Sequence, residues 1–389
     1  MNLGRMIFSQ VMELIPRHEF HKCVRSYNGD FKVRKFSCMD QFLCMAFAQL
    51  AYRESLRDIE ACLSTAPAKR YHLGIRARIS RSTLADANEK RDWRIYADFA
   101  QVLIGSAQKL YANEKWGRNL KRSVYALDST IIDLCLSLFP WAKFRRTKGA
   151  VKLHTLLNVQ SHIPSFIRIT PGRVHDVNAL DELVFEPGAV YVMDRAYVDY
   201  GRLYKLHQSA SYFVTRPKKS YRFKRLCSHP VVKTTGVRSD HTVKLVSFYP
   251  AQSYPEPLRK IRYFDAERKK HLTFLTNNFD WSATTVALLY KSRWQVELFF
   301  KWIKQHLRIK AFYGTTENAV KTQIWISITV YVLVAILKKS LPENLSLHSI
   351  LQILSVNLFE KVPLQELFSD FSCRQNEDDS YNSLPLWNL

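Results

Sequence analysis

From residue 123 onward, the sequence alternates short runs rich in β-branched and aromatic residues with segments of helical apolar spacing. This alternation is the strongest constraint on the fold, because strands joined through helices bury their apolar faces under those helices. Three β-rich runs come first, and the later runs are separated by segments 176–185 and 200–208, which have helical spacing. The β-rich runs are 124–135, 151–159, 165–170, 189–198 and 211–215. The sequence therefore predicts an α/β fold with a mixed sheet flanked by helices.

This order of elements is that of a ribonuclease-H-like core, and the core is interrupted. Residues 220–280 contain shorter β-like pieces joined by turn-prone prolines, so we interpret them as a β-rich insertion. The pieces are 231–235, 242–248, 261–264 and 271–275. Beyond Ser282 the spacing becomes helical again, which predicts that the core is completed after the insertion.

The residues before the core have helical spacing and polar faces rich in arginine and lysine, which predicts an all-helical N-terminal domain. A basic turn-like stretch from Pro67 to Ser82 leads into a helix from Ser82 through Phe99, and helical spacing also precedes it at Leu56, Ile59 and Leu63. Two helices around a basic turn resemble a helix-turn-helix. DNA recognition and plain scaffolding are both open for this domain. The predicted division is 1–121 for a helical DNA-binding domain, 122–219 for the first part of the core, 220–280 for the insertion, 281–340 for the last part of the core, and 341–389 for a helical C-terminal region with a polar tail.

The charge of the chain favours a polyanionic partner. Lysine and arginine number 58 against 34 aspartate and glutamate, giving a formal net charge of +24. Nucleic acid fits best, since basic residues that neutralise phosphates release counterions. The dense cationic stretches 216–225 and 259–270 contain aromatic residues, which suits a groove that holds phosphates and stacks bases; a solvated charged face is the alternative. An anionic membrane is the competing partner.

Membrane insertion and secretion are both disfavoured. The longest strongly apolar run, Ile324 to Leu337, has 14 residues and is shorter than a bilayer span. The first 16 residues lack the order of a secretory signal. The seven cysteines are scattered without a Cys-x-x-Cys pair, so neither a disulfide framework nor a zinc site is predicted. We therefore expect a cytoplasmic, nucleoid-associated protein without a membrane partner or a small-molecule cofactor.

Two apolar runs each end in an aspartate. Asp128 shares one face of its strand with Val124 and Ala126, and Asp194 shares one with Val190 and Val192. If the two strands are parallel neighbours, both carboxylates emerge at the same edge of the sheet, close enough to bridge a divalent cation. The alternative is that each aspartate caps the turn or helix that follows it.

A third carboxylate lies on a predicted long helix, Ser282 to Leu307, capped by Ser282 or Asp280. At about 100° per residue, a single polar stripe contains Tyr290, Arg293, Glu297 and Lys304. An adjacent apolar stripe would anchor the helix on the sheet. A carboxylate with cations one and two turns away suits a metal ligand beside substrate phosphates. A solvated face with an ordinary Arg293 to Glu297 pair is the alternative.

The spacing of Tyr290, Arg293, Glu297 and Lys304 resembles the Tyr-Arg-Glu-Lys signature of bacterial insertion-sequence DDE transposases, specifically insertion sequence family four. The similarity extends to three further segments: 126–130 around Asp128, 172–176, and 194–199. The N-terminal residues 8–10 and 41–42 also look like those that precede the catalytic domain in one branch of that family. The resemblance covers most of the chain and is weakest after residue 338.

The resemblance implies a DNA transposase that cleaves and joins strands at the inverted-repeat ends of an insertion sequence by cut-and-paste transposition. Asp128, Asp194 and Glu297 would hold two Mg²⁺ or Mn²⁺ ions as the catalytic and metal-binding residues. The implied partners are the double-stranded DNA of the transposon ends and target, in a homodimeric synaptic complex. A silent DNA-binding protein derived from a transposase is the alternative function. The residues predicted to contact DNA are Tyr290, Arg293, Lys304, Lys301, Arg195, Lys218, Lys219, Arg222, Lys224 and Arg225.

Several other residues compete for these roles. Three nearby carboxylates could be mistaken for the second ligand: Asp133, Asp176 and Asp199. Asp176 ranks first among them, because it precedes a helix and can serve as its cap. The histidines near the core are expected to be structural, since Mg²⁺ prefers oxygen ligands. Trp294 and Trp302 are expected to pack. Related enzymes place a flipped base on an aromatic residue of the insertion; the candidates here are Tyr221, Phe223, Tyr249, Tyr254, Tyr263 and Phe264.

Overall fold

The computed structural model describes residues 4–64, 67–76, 78–112, 122–218, 220–306, 312–341 and 345–369. Lys219, Leu307 and the predicted polar tail lie outside the described residues. The chain divides into two compact units, one formed by Met1–Leu110 and Trp302–Leu389 and the other by Tyr111–Lys301.

The helices and strands are numbered in chain order. The helices are α1 Ile7–Met12, α2 Arg17–Ser26, α3 Cys38–Leu50, α4 Leu56–Ser64, α5 Pro67–His72, α6 Arg81–Lys90, α7 Arg94–Leu110, α8 Tyr200–Gln208, α9 Phe248–Ser253, α10 Ala283–Ser292, α11 Trp294–His306, α12 Glu317–Lys338 and α13 Leu347–Asn357. The strands are β1 Val124–Leu134, β2 Lys143–Arg145, β3 Lys148–Asn158, β4 Pro164–Pro171, β5 Val190–Met193, β6 Tyr212–Thr215, β7 Phe223–His229, β8 Val237–Leu245, β9 Leu258–Asp265 and β10 Lys270–Thr276.

The unit that contains both chain termini is helical where it is described. Its central helix is α12, which packs against α3, α6 and α7. This helix is long and apolar enough to cross a membrane, but 89% of its apolar window is buried inside the protein. Its composition is therefore that of a core helix, which is apolar on all sides because it has neighbours on all sides.

The predicted single helix from Ser82 through Phe99 is wrong. The chain leaves α6 at Lys90 and begins α7 at Arg94. Asp92 explains the break, since its carboxylate accepts a hydrogen bond from the backbone N–H of Arg94 at 2.9 Å and so satisfies a free donor at the start of α7. The basic stretch before Ser82 contains a short helix, α5. Recognition of DNA by these helices stays a prediction.

The other unit contains one mixed sheet of ten strands within the described residues. The strand order is β2-β3-β1-β5-β6-β10-β9-β8-β7, and β4 also pairs with β3. β5 is parallel to both of its neighbours, β1 and β6, and the remaining pairs are antiparallel. The α/β class and the mixed sheet are therefore confirmed. Residues 220–280 supply the four strands that extend this sheet from β6.

Local patterns misplaced several elements of this unit. Residues 233–235 form a 3₁₀ turn instead of a strand, ended by Gly236 at φ 86°, a conformation that favours glycine. Residues 176–182 form 3₁₀ helix rather than an α-helix. Strand β7 was not predicted, because it lies at the exposed edge of the sheet and lacks apolar alternation.

The predicted long helix after Ser282 is divided at Arg293 into α10 and α11. Ser282 caps α10 as predicted, accepting a hydrogen bond from the N–H of Thr285 at 3.0 Å. At the junction the N–H of Arg293 donates to the carbonyl of Tyr290 at 3.2 Å, and that of Val296 donates to Arg293 at 3.2 Å. These bonds span three residues, which tightens the helix locally. The first helix, α10, packs across β5, β6, β8 and β10.

Candidate active site

Two carboxylates are brought together by the central strands of the sheet. β1 and β5 run parallel, with the last pair in register formed by Leu127 and Met193. Asp128 and Asp194 are the next residue on each strand, so both follow the paired segment at the same end. The two strands are thus the parallel neighbours that the sequence pattern required, and the register makes the aspartates adjacent.

The helical side of the site is formed at the junction of α10 and α11. The guanidinium of Arg293 donates to the carboxylate of Asp128 through one nitrogen and to that of Glu297 through the other. The hydroxyl of Tyr290 donates to Asp194 at 3.4 Å. Two neighbouring side chains of the Tyr-Arg-Glu-Lys signature therefore link all three carboxylates, which come from distant parts of the chain.

The site is largely screened from solvent and carries excess negative charge. The side chains of Arg293 and Asp128 are 15% and 20% exposed. Burial raises the pKa of Asp128 to about 6; Arg293 opposes the rise, and the carboxylates of Glu297 and Asp194 add to it. Arg293 contacts two of the three carboxylates, and Arg216 lies within hydrogen-bonding reach of Tyr290. Three carboxylates thus face two guanidinium groups, so an additional cation here would be favoured electrostatically.

The donor set suits a hard divalent ion, since carboxylate oxygens are the ligands that Mg²⁺ prefers. Across the described residues, however, no group of three or more histidine, cysteine, aspartate or glutamate side chains is arranged to hold a metal ion. Arg293 lies between Asp128 and Glu297. These two carboxylates could share an ion only after the guanidinium moved away.

Both aspartates also make the local hydrogen bonds that the alternative interpretation expected. Asp194 accepts from the N–H of Arg195 at 2.7 Å and caps the short 3₁₀ turn that follows. Asp128 accepts from the N–H of Ser129 at 2.8 Å. Each aspartate therefore makes a local backbone hydrogen bond and also contacts a side chain of the shared site.

The competing carboxylates have other partners or positions. Asp199 caps α8 by accepting from the N–H of Arg202 at 3.0 Å, and Asp133 is exposed on β1. Asp176 is not the helix cap that the sequence suggested: His175 occupies the cap position, while Asp176 pairs with Lys152 at 3.0 Å.

The residues predicted to contact DNA are distributed over several surfaces. Lys301 and Arg195 are exposed, and Lys304 is partly buried on α11. Lys218 donates to the carbonyl of Val198 at 3.0 Å. The remaining described residues that were predicted to contact DNA are exposed in or just before the edge strand β7: Arg222, Lys224 and Arg225. Within the second cationic stretch, 259–270, Arg259 is buried and paired with Asp240.

A cavity of about 440 Å³ opens beside Tyr290 and Arg293, between α10 and the β9–β10 hairpin. Tyr263, Phe274 and Trp294 contribute aromatic rings to its lining. The expectation that Trp294 packs is wrong, because this residue is 45% exposed. Trp294 directly follows Arg293 in the sequence, and this position could have indicated that its ring lies beside the carboxylate site.

Comparison with known proteins decides which family this site belongs to. The sequence model of the family described as "Transposase DDE domain" matches residues 119–333, more than half of the chain. The protein is a member of the DDE transposase family. A second match, over residues 4–76, is to a domain of unknown function, DUF4372.

The transposase is similar to bacterial proteins with related descriptions. It is 34% identical to y4zB of Sinorhizobium fredii, described as a transposase, over 65% of this chain and 70% of that protein. It is 30% identical to a transposase described for the insertion sequence element IS5377 of Geobacillus stearothermophilus, over 57% of this chain and 59% of that protein. A protein of Synechocystis described for element IS4SA is 26% identical over 66% of this chain and 71% of the relative.

A piggyBac transposase synaptic complex with hairpin DNA, solved by cryo-electron microscopy, covers 98% of this chain and 87% of its own with a TM-score of 0.46 and 12% identity. Likeness at this level does not establish a common fold. The family match makes the chain a bacterial insertion-sequence DDE transposase, as the signature predicted. The transposase is thus a DNA-binding enzyme of a family whose members generally depend on divalent metal ions and are generally cytoplasmic.

Proposed function

We propose that Asp128, Asp194 and Glu297 are the catalytic carboxylates of this transposase and hold two Mg²⁺ or Mn²⁺ ions. The observation that carries the proposal is the convergence of the three side chains on Arg293 and Tyr290. Their oxygen donors and excess negative charge suit hard divalent ions. Such ions, when bound, activate the attacking water or 3′-hydroxyl and stabilise the leaving oxygen in phosphoryl transfer.

Arg293 is proposed to have two positions. Without metal, its guanidinium balances Asp128 and Glu297; when cations neutralise those carboxylates, it is released to donate to a phosphate of the DNA. A planar guanidinium suits both partners, because carboxylate and phosphate accept the same paired hydrogen bonds. Tyr290 would orient Asp194 and a phosphate, and Lys304 would contact the DNA further along α11.

The proposed substrate is double-stranded DNA at the terminal inverted repeats of the insertion sequence, with target DNA joined at the same site in a cut-and-paste reaction. Exposed cations in and around β7 support a path for the backbone. The same proposal includes DNA contacts by four further basic residues: Lys301, Arg195, Lys218 and Lys219. Synapsis of two ends would require a homodimer, and continuous DNA binding would make the protein nucleoid-associated.

The aromatic cavity beside Tyr290 is proposed to receive a base that leaves the duplex near the scissile phosphate. Among the aromatic candidates of the insertion, Tyr263 lines this cavity, whereas Tyr254 is fully buried elsewhere. Trp294 offers the most exposed ring, and the guanidinium of Arg268 lies 5.4 Å from its centre. Rings and cations together stack bases and hold phosphates.

The parallel centre of the sheet, with carboxylates at its end and a helix laid across it, supports a ribonuclease-H-like core. The five-part division into residues 1–121, 122–219, 220–280, 281–340 and 341–389 is likewise a proposal. In that division, the two segments of the core are separated by the β-rich insertion, and the first 121 residues bind DNA.

Single substitutions test the catalytic assignment. Asp128→Ala, Asp194→Ala and Glu297→Ala should each abolish Mg²⁺-dependent cleavage of DNA carrying the element's ends, while duplex binding stays close to that of the wild type. Cleavage is measured on end-labelled DNA taken from the sequence flanking the gene, and binding is measured by fluorescence anisotropy. Asp133→Ala is the matched control, since Asp133 lies exposed on the same strand as Asp128.

Normal cleavage by any one of the three variants would remove that residue from the assignment. Wild-type protein that binds the ends firmly but cuts no strand with either Mg²⁺ or Mn²⁺ would favour a silent DNA-binding descendant instead.

A further inference from the structure

An ion pair with a buried lysine lies beside the carboxylate site and has no part in the mechanism above. The Nζ atom of Lys152 is 3.0 Å from Oδ1 of Asp176 and donates to the carbonyl of Val174 at 2.8 Å. The side chain of Lys152 is only 9% exposed. Lysine is rarely buried this deeply unless it is paired, so its position requires a reason.

Stability gives a weak reason, since the cost of taking the lysine out of water offsets much of its attraction to Asp176. His154 does not share the charge: its Nδ1 is 4.0 Å from the same carboxylate oxygen, but burial lowers its pKa to about 4, so the ring is neutral at physiological pH. Among the described residues, Lys152 is therefore the charged partner of Asp176. The cost of desolvation falls mainly on the buried lysine, because the side chain of Asp176 is 28% exposed; the placement of this lysine suggests a role in the adjacent site.

The pair is connected to Asp128 through one residue. Asp176 accepts a hydrogen bond from the hydroxyl of Ser129 at 2.6 Å, and the N–H of Ser129 donates to Asp128 at 2.8 Å. Pairing of β1 with β5 ends at Leu127, whereas pairing with β3 continues to Leu134. Beyond Leu127, β1 is therefore hydrogen-bonded to a neighbouring strand only on the β3 side. The hydrogen bond from Ser129 to Asp176 holds this part of β1 by a further contact.

We propose that Asp176, fixed by Lys152, is a positioning residue: it anchors Ser129 and thereby sets the orientation of the Asp128 carboxylate toward the divalent ion. The inference rests on the proposed function, because Asp128 must be a ligand for its orientation to matter. Partners that orient metal ligands typically contribute about 10- to 100-fold to metal affinity or activity.

The test measures Mn²⁺ affinity of the full-length protein without DNA, by isothermal titration calorimetry. Ser129→Ala should weaken binding about tenfold or more with little change in melting temperature. Lys152→Met should also weaken Mn²⁺ binding, whereas Lys152→Arg, which keeps the positive charge, should bind Mn²⁺ like the wild type. Ser165→Ala is the matched control, since its hydroxyl donates to Leu156 at 3.1 Å in the same sheet and belongs to another strand pair.

Steady-state cleavage supplies a second readout: Ser129→Ala should lower kcat at fixed metal concentration, with recovery at high Mn²⁺ and an unchanged KM for DNA. Wild-type Mn²⁺ affinity in Ser129→Ala, or an equal loss in Ser165→Ala, would overturn the positioning role. The variant Asp128→Ala separates the positioning role of Asp176 from the proposed metal site itself. If Asp128→Ala also bound Mn²⁺ like the wild type, the proposed metal site itself would be wrong.

Discussion

Arg293 has a proposed role in the site both without and with bound metal ions. Its side chain is 15% exposed and contacts two carboxylates, so truncating it would remove a counter-charge from two carboxylates that are only partly solvated. A lysine would keep the charge but could not donate to both carboxylates through a rigid fork. The arginine in the signature is therefore explained by geometry as well as charge.

His154 allows a pH prediction at the same scale. Its folded pKa of about 4 lies below its unfolded value, so between about 6.5 and 4 the unfolded chain binds the extra proton. Stability attributable to this group is present above about 6.5 and is lost as the pH falls toward 4. The expected loss is about 2 to 3 kcal/mol.

The comparison of wild type with His154→Gln measures this effect, using urea unfolding at pH 7 and pH 4.5. Glutamine can still donate to Thr170, which the ring contacts at 3.0 Å, but cannot titrate. The variant should lose less stability than the wild type over this range. Parallel losses in both proteins would show that His154 is not the titrating group.

At the scale of elements, the divided helix explains why aromatic and cationic groups surround the carboxylates. α10 is fixed on the sheet, and the tight turn at Arg293 leads directly to Trp294 at the start of α11. The β9–β10 hairpin covers the other side of the cavity. A base received here would lie next to the catalytic helix, so unstacking and cleavage would be coupled in space.

Trp294→Ala should therefore weaken binding of transposon ends by about 1 to 3 kcal/mol per stacked base and reduce the fluorescence rise of 2-aminopurine placed next to the cleavage site. Trp294→Phe should retain most of both signals. Tyr249→Ala is the control, since Tyr249 is 77% exposed on α9 and outside the cavity. Unchanged fluorescence in Trp294→Ala would contradict base reception by this ring.

At the scale of the molecule, the net charge of +24 predicts DNA binding that weakens steeply with salt. Neutralising one side chain that binds a phosphate should reduce the slope of log affinity against log salt by about one. Replacing Lys224 and Arg225 together with glutamine should lower that slope by about two, measured by anisotropy between roughly 50 and 200 mM salt. The same change at exposed Lys205 and Lys361 should leave the slope unchanged, and equal slopes in both double variants would exclude β7 from the DNA path.

The sequence alone determined the features that depend on residues close together in the chain. Strand-end aspartates, the cap at Ser282 and the fixed gaps of the signature are short-range patterns, so the α/β class, α8 at Tyr200–Gln208 and the transposase family were all readable. Buried positions of α11 were also readable, since Val296 and Ile303 are fully buried as the apolar stripe predicted.

Tertiary structure decided what depends on partners distant in the chain. Strand β7 has no apolar pattern because it is an exposed edge, and it exists because β8 pairs with it. Asp176 looked like a helix cap until Lys152 and Ser129 were brought to it across the sheet. The break at Arg293 likewise follows no helix-breaking residue. The spacing of residues within one segment carries no information about contacts with residues distant in the chain. Those contacts depend on the register of the sheet and on which charged side chains lie close together after packing.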